Sequence, residues 1–221
     1  MRGLKNLGNT CYFNVAVQCL AHVPPLAQHL MLREYTGQCA ITCEYQKVLR
    51  QLFLRGVTEP VDPSDLLDAF RERFPRFVTG TQHDAQEVIL ILIDIFETSI
   101  GLKVFSPLPT LILPVLEPCS LADLLEDEPA VEWPPVISFT FAMYDHKFPV
   151  TIPFDFKDRR LFAVVLHKGC SESGHYAALI RVHDKWFIKE DATVYELPCG
   201  IETMRGEFYM AFYRPDKLLA S

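Results

Sequence analysis

The sequence predicts an α+β fold in one domain, helices first and an antiparallel sheet second. Three observations carry this. Apolar residues recur at helical spacing through residues 1–100; after Gly101 they fall into short alternating or β-branched runs; and prolines, sparse before that point, become frequent beyond it. Taken in order, Thr10 or Asn9 can cap a helix over Cys11 to His22, with Phe13, Ala16, Val17 and Leu20 on its stripe. Pro24 and Pro25 end it. A second helix spans Cys43 to Leu54 with Val48, Leu49, Leu52 and Phe53 on one side. A third follows Asp62, with Pro63 in its first turn and Leu66, Leu67 and Phe70 as the stripe. A fourth begins near Thr81, paired with Asp84 as a cap, and runs through Val88, Leu92, Ile95 and Phe96 to Ile100. Strands follow at Leu111 to Leu116, Val136 to Phe141, Lys147 to Ile152, Leu161 to Leu166, His175 to Val182, Lys185 to Ile188 and Phe208 to Tyr213, with a short helix at Leu121 to Leu125. The Pro- and acid-rich stretch Glu117 to Pro135 reads as a surface excursion.

Composition removes several function classes. A net charge of −7 argues against nucleic acid as a partner. The longest apolar run, Val88 to Ile95, is interrupted by Asp94, so no membrane span is expected, and residues 1–20 lack the apolar core of a secretion signal. The seven cysteines include no CxxC pair. Neither a disulfide framework nor a zinc site is expected, which leaves reduced thiols in a cytoplasmic or nuclear compartment and no cofactor.

Three segments carry chemistry. Gly3 to Asn14 is a glycine-bearing loop that delivers Cys11 to a helix start. Free amides and the positive end of the helix dipole there stabilise a thiolate and lower its pKa. The same amides, with the side chain of Asn6, can hold an oxyanion. The plainer alternative is a buried cysteine at a helix start. Gly169 to Leu179 is a Gly/Ser loop leading into His175 at a strand start. A thiol nucleophile needs such a base, which may lie far away in sequence. Trp186 to Asp191 ends one hairpin later, so Glu190 or Asp191 can return beside His175 and fix its tautomer; an acidic strand end in solvent is the alternative.

Together the segments resemble the ubiquitin-specific protease family. Its Cys box reads here Gly-Leu-Lys-Asn-Leu-Gly-Asn-Thr-Cys-Tyr-Phe-Asn; its second box resembles Thr81-Gln82-His83-Asp84-Ala85-Gln86-Glu87-Val88. Its His box is similar to Leu161 to His167 followed by Gly174-His175-Tyr176-Ala177-Ala178, and its closing strand to Tyr209 to Arg214. The resemblance implies a papain-like cysteine protease fold over residues 1–221, with a helical thumb (1–100) and a β palm (101–221). It implies a deubiquitinase that hydrolyses the (iso)peptide bond after the C-terminal glycine of ubiquitin. Cys11 would be the nucleophile, His175 the base and Asn6 the oxyanion donor. The residue orienting His175 would be Asp191, with Glu190 open, since the family usually has Asp or Asn where Glu190 stands. Asp84 and Glu87 would face the basic tail of ubiquitin, and Gly8, Gly174 and Tyr176 would shape the cleft for its terminal glycines.

The chain also departs from the family pattern. The long fingers hairpin with paired CxxC zinc ligands is missing, and only a reduced, metal-free fingers region around residues 101–135 is expected. Recognition should then rest on the tail and the palm. The partner would be ubiquitin or a ubiquitin-like modifier and its conjugates, with the chain acting as a monomer. Two alternatives stay open: a protease for another modifier with a Gly-Gly tail, or a ubiquitin-binding module with little catalysis.

Overall fold

The computed structural model describes residues 1–126, 133–143, 148–169, 174–198 and 203–215. Helix α1 (Cys11–Ala21) is buried on every side, as a helix apolar around most of its circumference must be. Around it stand α2 (Pro24–Leu32), α3 (Ala40–Leu52), α4 (Ser64–Arg73) and α5 (Ala85–Ile100). Helix α2 is not foreseen in the sequence. Its two prolines occupy the first turn, where a missing N–H breaks no intrahelical bond, so they start a helix as well as stopping one.

Two caps differ from expectation. Thr10 is the N-cap of α1, but its hydroxyl makes no cap bond and accepts instead from the Leu7 N–H at 2.9 Å. In α5 the cap is Asp84, whose carboxylate accepts the Gln86 N–H at 2.7 Å; Thr81 turns to His83 and the Val78 carbonyl.

The C-terminal half begins with β1 (Leu111–Pro114), β2 (Cys119–Ser120) and the short α6 (Leu121–Leu124), which a Ser120–Asp123 capping box opens. It continues through β3 (Ile137–Ala142), β4 (Val150–Pro153), β5 (Asp155–Phe156), β6 (Arg159–Gly169), β7 (Gly174–Val182) and β8 (Lys185–Glu190). It ends with β9 (Thr193–Leu197), β10 (Thr203–Gly206) and β11 (Phe208–Pro215). The main sheet has the order β1-β3-β11-β6-β7-β8-β9, with β5 also paired to β6. A smaller sheet has the order β10-β4-β2. Neither sheet is purely antiparallel: β1 runs parallel to β3 in the main sheet, and β2 to β4 in the smaller one. In the segment expected to hold reduced fingers, β1, β2 and α6 lie within the described residues and 127–132 lie outside them.

The main sheet is covered on both faces, so its central strands are apolar nearly throughout. Phe162, Val165, Ala178, Ile180, Met210 and Phe212 pack on the helices. Leu161, Val164, Leu179, Ala211 and Tyr213 alternate to the opposite face and join a second core with Phe139, Ile152 and Trp186.

The N-terminal segment ties these halves together. The Leu4 N–H donates to the Asp191 carbonyl at 2.8 Å, while Lys5 N–H and Val61 N–H exchange bonds with the Val61 and Gly3 carbonyls at 2.9 Å each. Gly3 lies so close to the backbone of Asp191 and Ala192 that a Cβ there would overlap both. The loop before Cys11 is therefore stitched directly to the turn between β8 and β9.

Candidate active site

Cys11 is the first residue of α1 and is 2% exposed. The backbone N–H of Tyr176 from β7 and N–H groups of its own helix start bear electrostatically on its sulfur. Burial nevertheless pushes the thiol above its ordinary pKa; those amides pull it down and the Asp191 carboxylate adds to the rise. The helix start thus acts in the expected direction, but desolvation of the charged form outweighs it. The expectation of a lowered pKa is corrected on that ground.

His175 enters β7 one residue before Tyr176. Its Nε2 faces Oε1 of Glu190 at 3.1 Å, both side chains being roughly half exposed. The approach is at ion-pair distance but off the hydrogen-bonding line, and Nε2 makes no hydrogen bond among the described residues. Asp191, which the sequence reading favours for the imidazole, is turned elsewhere. At φ 47° it leaves the strand direction, and its two oxygens accept from Asn6 Nδ2 and Asn14 Nδ2, each at 2.7 Å. Asn6 Oδ1 in turn accepts the N–H of Gly8 at 2.9 Å and that of Thr10 at 3.3 Å. The Asn6 amide is thereby fixed at both ends, directly before the nucleophile.

Asp84 and Glu87 sit at the start of α5. Oδ1 of Asp84 also accepts the Tyr209 hydroxyl at 2.5 Å; Glu87 is exposed and paired with Arg76. Gly8 adopts φ +95°, a conformation that favours glycine. Gly174 is held by Gln82, whose amide donates to its carbonyl at 2.7 Å and accepts its N–H at 2.8 Å. A Cβ at Gly174 would overlap Nε2 of His167. The Tyr176 ring stacks on His167 at 4.3 Å between centroids and lies 5.7 Å from Tyr209. Burial, first, and the Asp84 charge push the Tyr176 hydroxyl up, so it stays protonated.

Asn14, Gln82 and Tyr209 are parts of this assembly that the sequence reading assigns no role. Asn14 left one signal, an amide on a largely apolar helix that it shares with Gln18. Gln82 and Tyr209 stand in segments that carry the family resemblance, but nothing in residue type marks their partners, 92 and 125 residues away. Among the described residues no group of three His, Cys, Asp or Glu side chains is gathered as a metal site, and no helix is long and apolar enough to cross a membrane.

The chain is similar to known proteins in sequence and in fold. A ubiquitin carboxyl-terminal hydrolase from Caenorhabditis elegans, cyk-3, is 36% identical over 108 residues, covering 44% of this chain and 9% of its own length. The human ubiquitin carboxyl-terminal hydrolase 17-like protein 23 is 34% identical over 100 residues, covering 43% of this chain and 51% of its own. The rat ubiquitin carboxyl-terminal hydrolase 2 is 29% identical over 118 residues, covering 50% and 19%. The chain thus matches about half, or less, of the length of these relatives. The fold is that of the SAGA Ubp8/Sgf11/Sus1/Sgf73 module bound to ubiquitin aldehyde, with a TM-score of 0.76 at 17% identity over 97% of this chain and 69% of that one. A second structure of that module, bound to monoubiquitin, gives 0.78 at 16% identity, with the same coverage. The family profile described as ubiquitin carboxyl-terminal hydrolase matches residues 2–146 and 152–213, nearly the whole sequence, and the chain belongs to that family.

Proposed function

We propose that the protein is a thiol deubiquitinase that hydrolyses the (iso)peptide bond after the C-terminal glycine of ubiquitin. The observation that carries this is the convergence of three distant segments. Cys11 at the start of α1 lies under the Tyr176 N–H, His175 faces Glu190, and the Asn6 amide is held by Asp191. In this reading His175 takes the Cys11 proton and the thiolate attacks the glycine carbonyl. The oxyanion is held by helix-start amides and the second N–H of Asn6 Nδ2. His175 returns the proton to the departing amine; water, deprotonated by the same imidazole, then hydrolyses the thioester and frees Cys11. Glu190 orients the imidazole, and Asp191 orients Asn6.

Substrate contacts follow from the same geometry. Asp84, with one oxygen taken by Tyr209 and Gln86, keeps the other for an arginine of the tail. Glu87 shares its charge between Arg76 and the substrate. In this reading Gly8 and Gly174, which add no side-chain bulk, and the backbone of Tyr176 shape the cleft for a glycine-ended tail. The partners named by this reading are ubiquitin and its conjugates, met by a monomer in a reducing compartment of the cell.

A ubiquitin derivative with a C-terminal electrophile tests it. A covalent adduct is expected on the native chain and none on Cys11→Ala; an adduct that survives that substitution overturns the assignment. The short elements of residues 101–126 favour one second reading, a different modifier with the same Gly-Gly tail, and parallel labelling with probes for other modifiers separates the two.

A further inference from the structure

Lys189 is a buried lysine that the chemistry above leaves unused. It stands on β8 directly before Glu190, is 3% exposed, and its Nζ donates to Oε1 of Gln18 at 2.7 Å. Gln18 lies on α1, the helix that begins with Cys11, and its Nε2 donates to the Arg2 carbonyl at 3.2 Å. One buried amide therefore joins the nucleophile helix, the strand bearing Glu190, and the N-terminal segment that leads to Asn6.

The surroundings of Lys189 offer no counter-charge. An ammonium has three donors to place; among the described residues Gln18 supplies the one acceptor, and no carboxylate pairs with it. From α1 it is faced by Cys19 and His22, with Arg214 of β11 bearing on His22 from beyond. Across the sheet its neighbours are Ala178 of β7 and Val194 of β9. Burial pushes the Cys19 thiol up to about 12 and His22 well below its ordinary range, so both are neutral near pH 7. The Arg2 guanidinium is turned away to the Glu59 and Gln51 carbonyls. An unpaired amine in such a place discharges rather than bear the desolvation of an ion. Burial accordingly lowers Lys189 from 10.5 to about 7.

We propose that Lys189 is a positioning residue of the thiol site that works uncharged: the neutral amine seats β8 on α1 through Gln18, and charging it draws the side chain toward water and loosens the strand that carries Glu190. The proposal rests on the thiol-protease reading. Its consequence is a loss of turnover on mild acidification that belongs to neither Cys11 nor His175.

Lysines labelled with carbon-13 at Cε give the first test, on the native protein. One resonance, absent from Lys189→Met, should titrate near neutrality; if every lysine titrates near 10, the proposal fails. Melting temperature gives a second. Because the lysine is depressed in the fold, its penalty is full below about 7 and is relieved as pH rises toward 10.5. The native Tm should therefore rise over that window relative to Lys189→Met; parallel curves count against the proposal. For function, native kcat should fall about fivefold more than that of Lys189→Met between about pH 8 and about pH 6, with KM unchanged. Gln18→Glu, which pairs the lysine as a permanent ion, should also abolish the excess loss; equal profiles in all three proteins overturn the gating. Should the native chain turn over no ubiquitin at any pH, the deubiquitinase reading fails by itself. Movement of the His175 ring resonance with Lys189 titration, lost in Lys189→Met, then still decides the positioning role.

Discussion

Glu190 and Asp191 are neighbours in sequence with different partners, and their substitutions should separate. Glu190→Ala leaves the imidazole without its orienting carboxylate, and kcat with a ubiquitin fluorogenic substrate should drop about 10²-fold with little change in KM. Asp191→Ala releases Asn6 and Asn14 together, so the proposed oxyanion donor is lost from its place and a fall of about 10²–10³-fold is expected. An unchanged kcat in either variant would refute the role given to that residue. Gly174→Ala sets a Cβ against the His167 ring at the entry to His175. Adduct formation should slow by about tenfold or more while the melting temperature moves little, and a normal labelling rate would show that the loop absorbs the methyl. Cys11, His175 and Asn6 are legible in the sequence because each sits in a segment whose glycines and neighbours mark a loop leading into a regular element. The division of labour between Glu190 and Asp191 is not legible. It depends on a positive φ at Asp191, which carries no mark in residue type.

Among the elements, α5 shows how one helix serves stability and site together. Its start presents Asp84 and Glu87, and near its end Glu97 accepts the N–H groups of Val104, Phe105 and Ser106 and the Ser106 hydroxyl. Burial acts to raise this carboxyl, but the Ser106 hydroxyl and the three amides together outweigh it and hold the acid below its ordinary 4.5. A depressed acid contributes stability that is present above 4.5 and lost as pH falls through the lower folded value. Glu97→Gln should cost about 1–3 kcal/mol in urea unfolding near pH 7, and the difference from the native chain should shrink on acidification through and below pH 4.5. A cost that is the same at all pH values would contradict this. The long helices are legible because their stripes repeat at helical spacing, and the central strands because both of their faces are apolar. Helix α2 is hidden by its prolines and a narrow buried face of Leu26 and Leu30. Strand β9 is hidden because it is an outer strand with none of its residues fully buried, so Thr193 to Leu197 carries no alternation to read.

At the scale of the whole molecule, the site is an agreement between segments far apart in sequence. Asn6 meets Asp191 across 185 residues and Lys189 meets Gln18 across 171. Contacts so distant in sequence are slow to form, because the closure of a long loop precedes any reward from it. The strand order sharpens this. Strand β11, the last of the described strands, lies in the interior of the main sheet between β3 and β6. Removing residues 208–215 should therefore leave a chain that gives no adduct with a ubiquitin electrophile and exposes apolar surface to a hydrophobic dye, whereas a labelled product would show that β3 and β6 can close without it. During synthesis on the ribosome the helical half emerges first and can gather around α1, already holding Cys11. Its base and both carboxylates arrive later, and the gap between β3 and β6 stays open until residue 215 is out. On the proposed reading, a nascent chain of this kind holds its nucleophile well before a working protease exists, and the insertion of a single strand would make folding and the onset of activity one event.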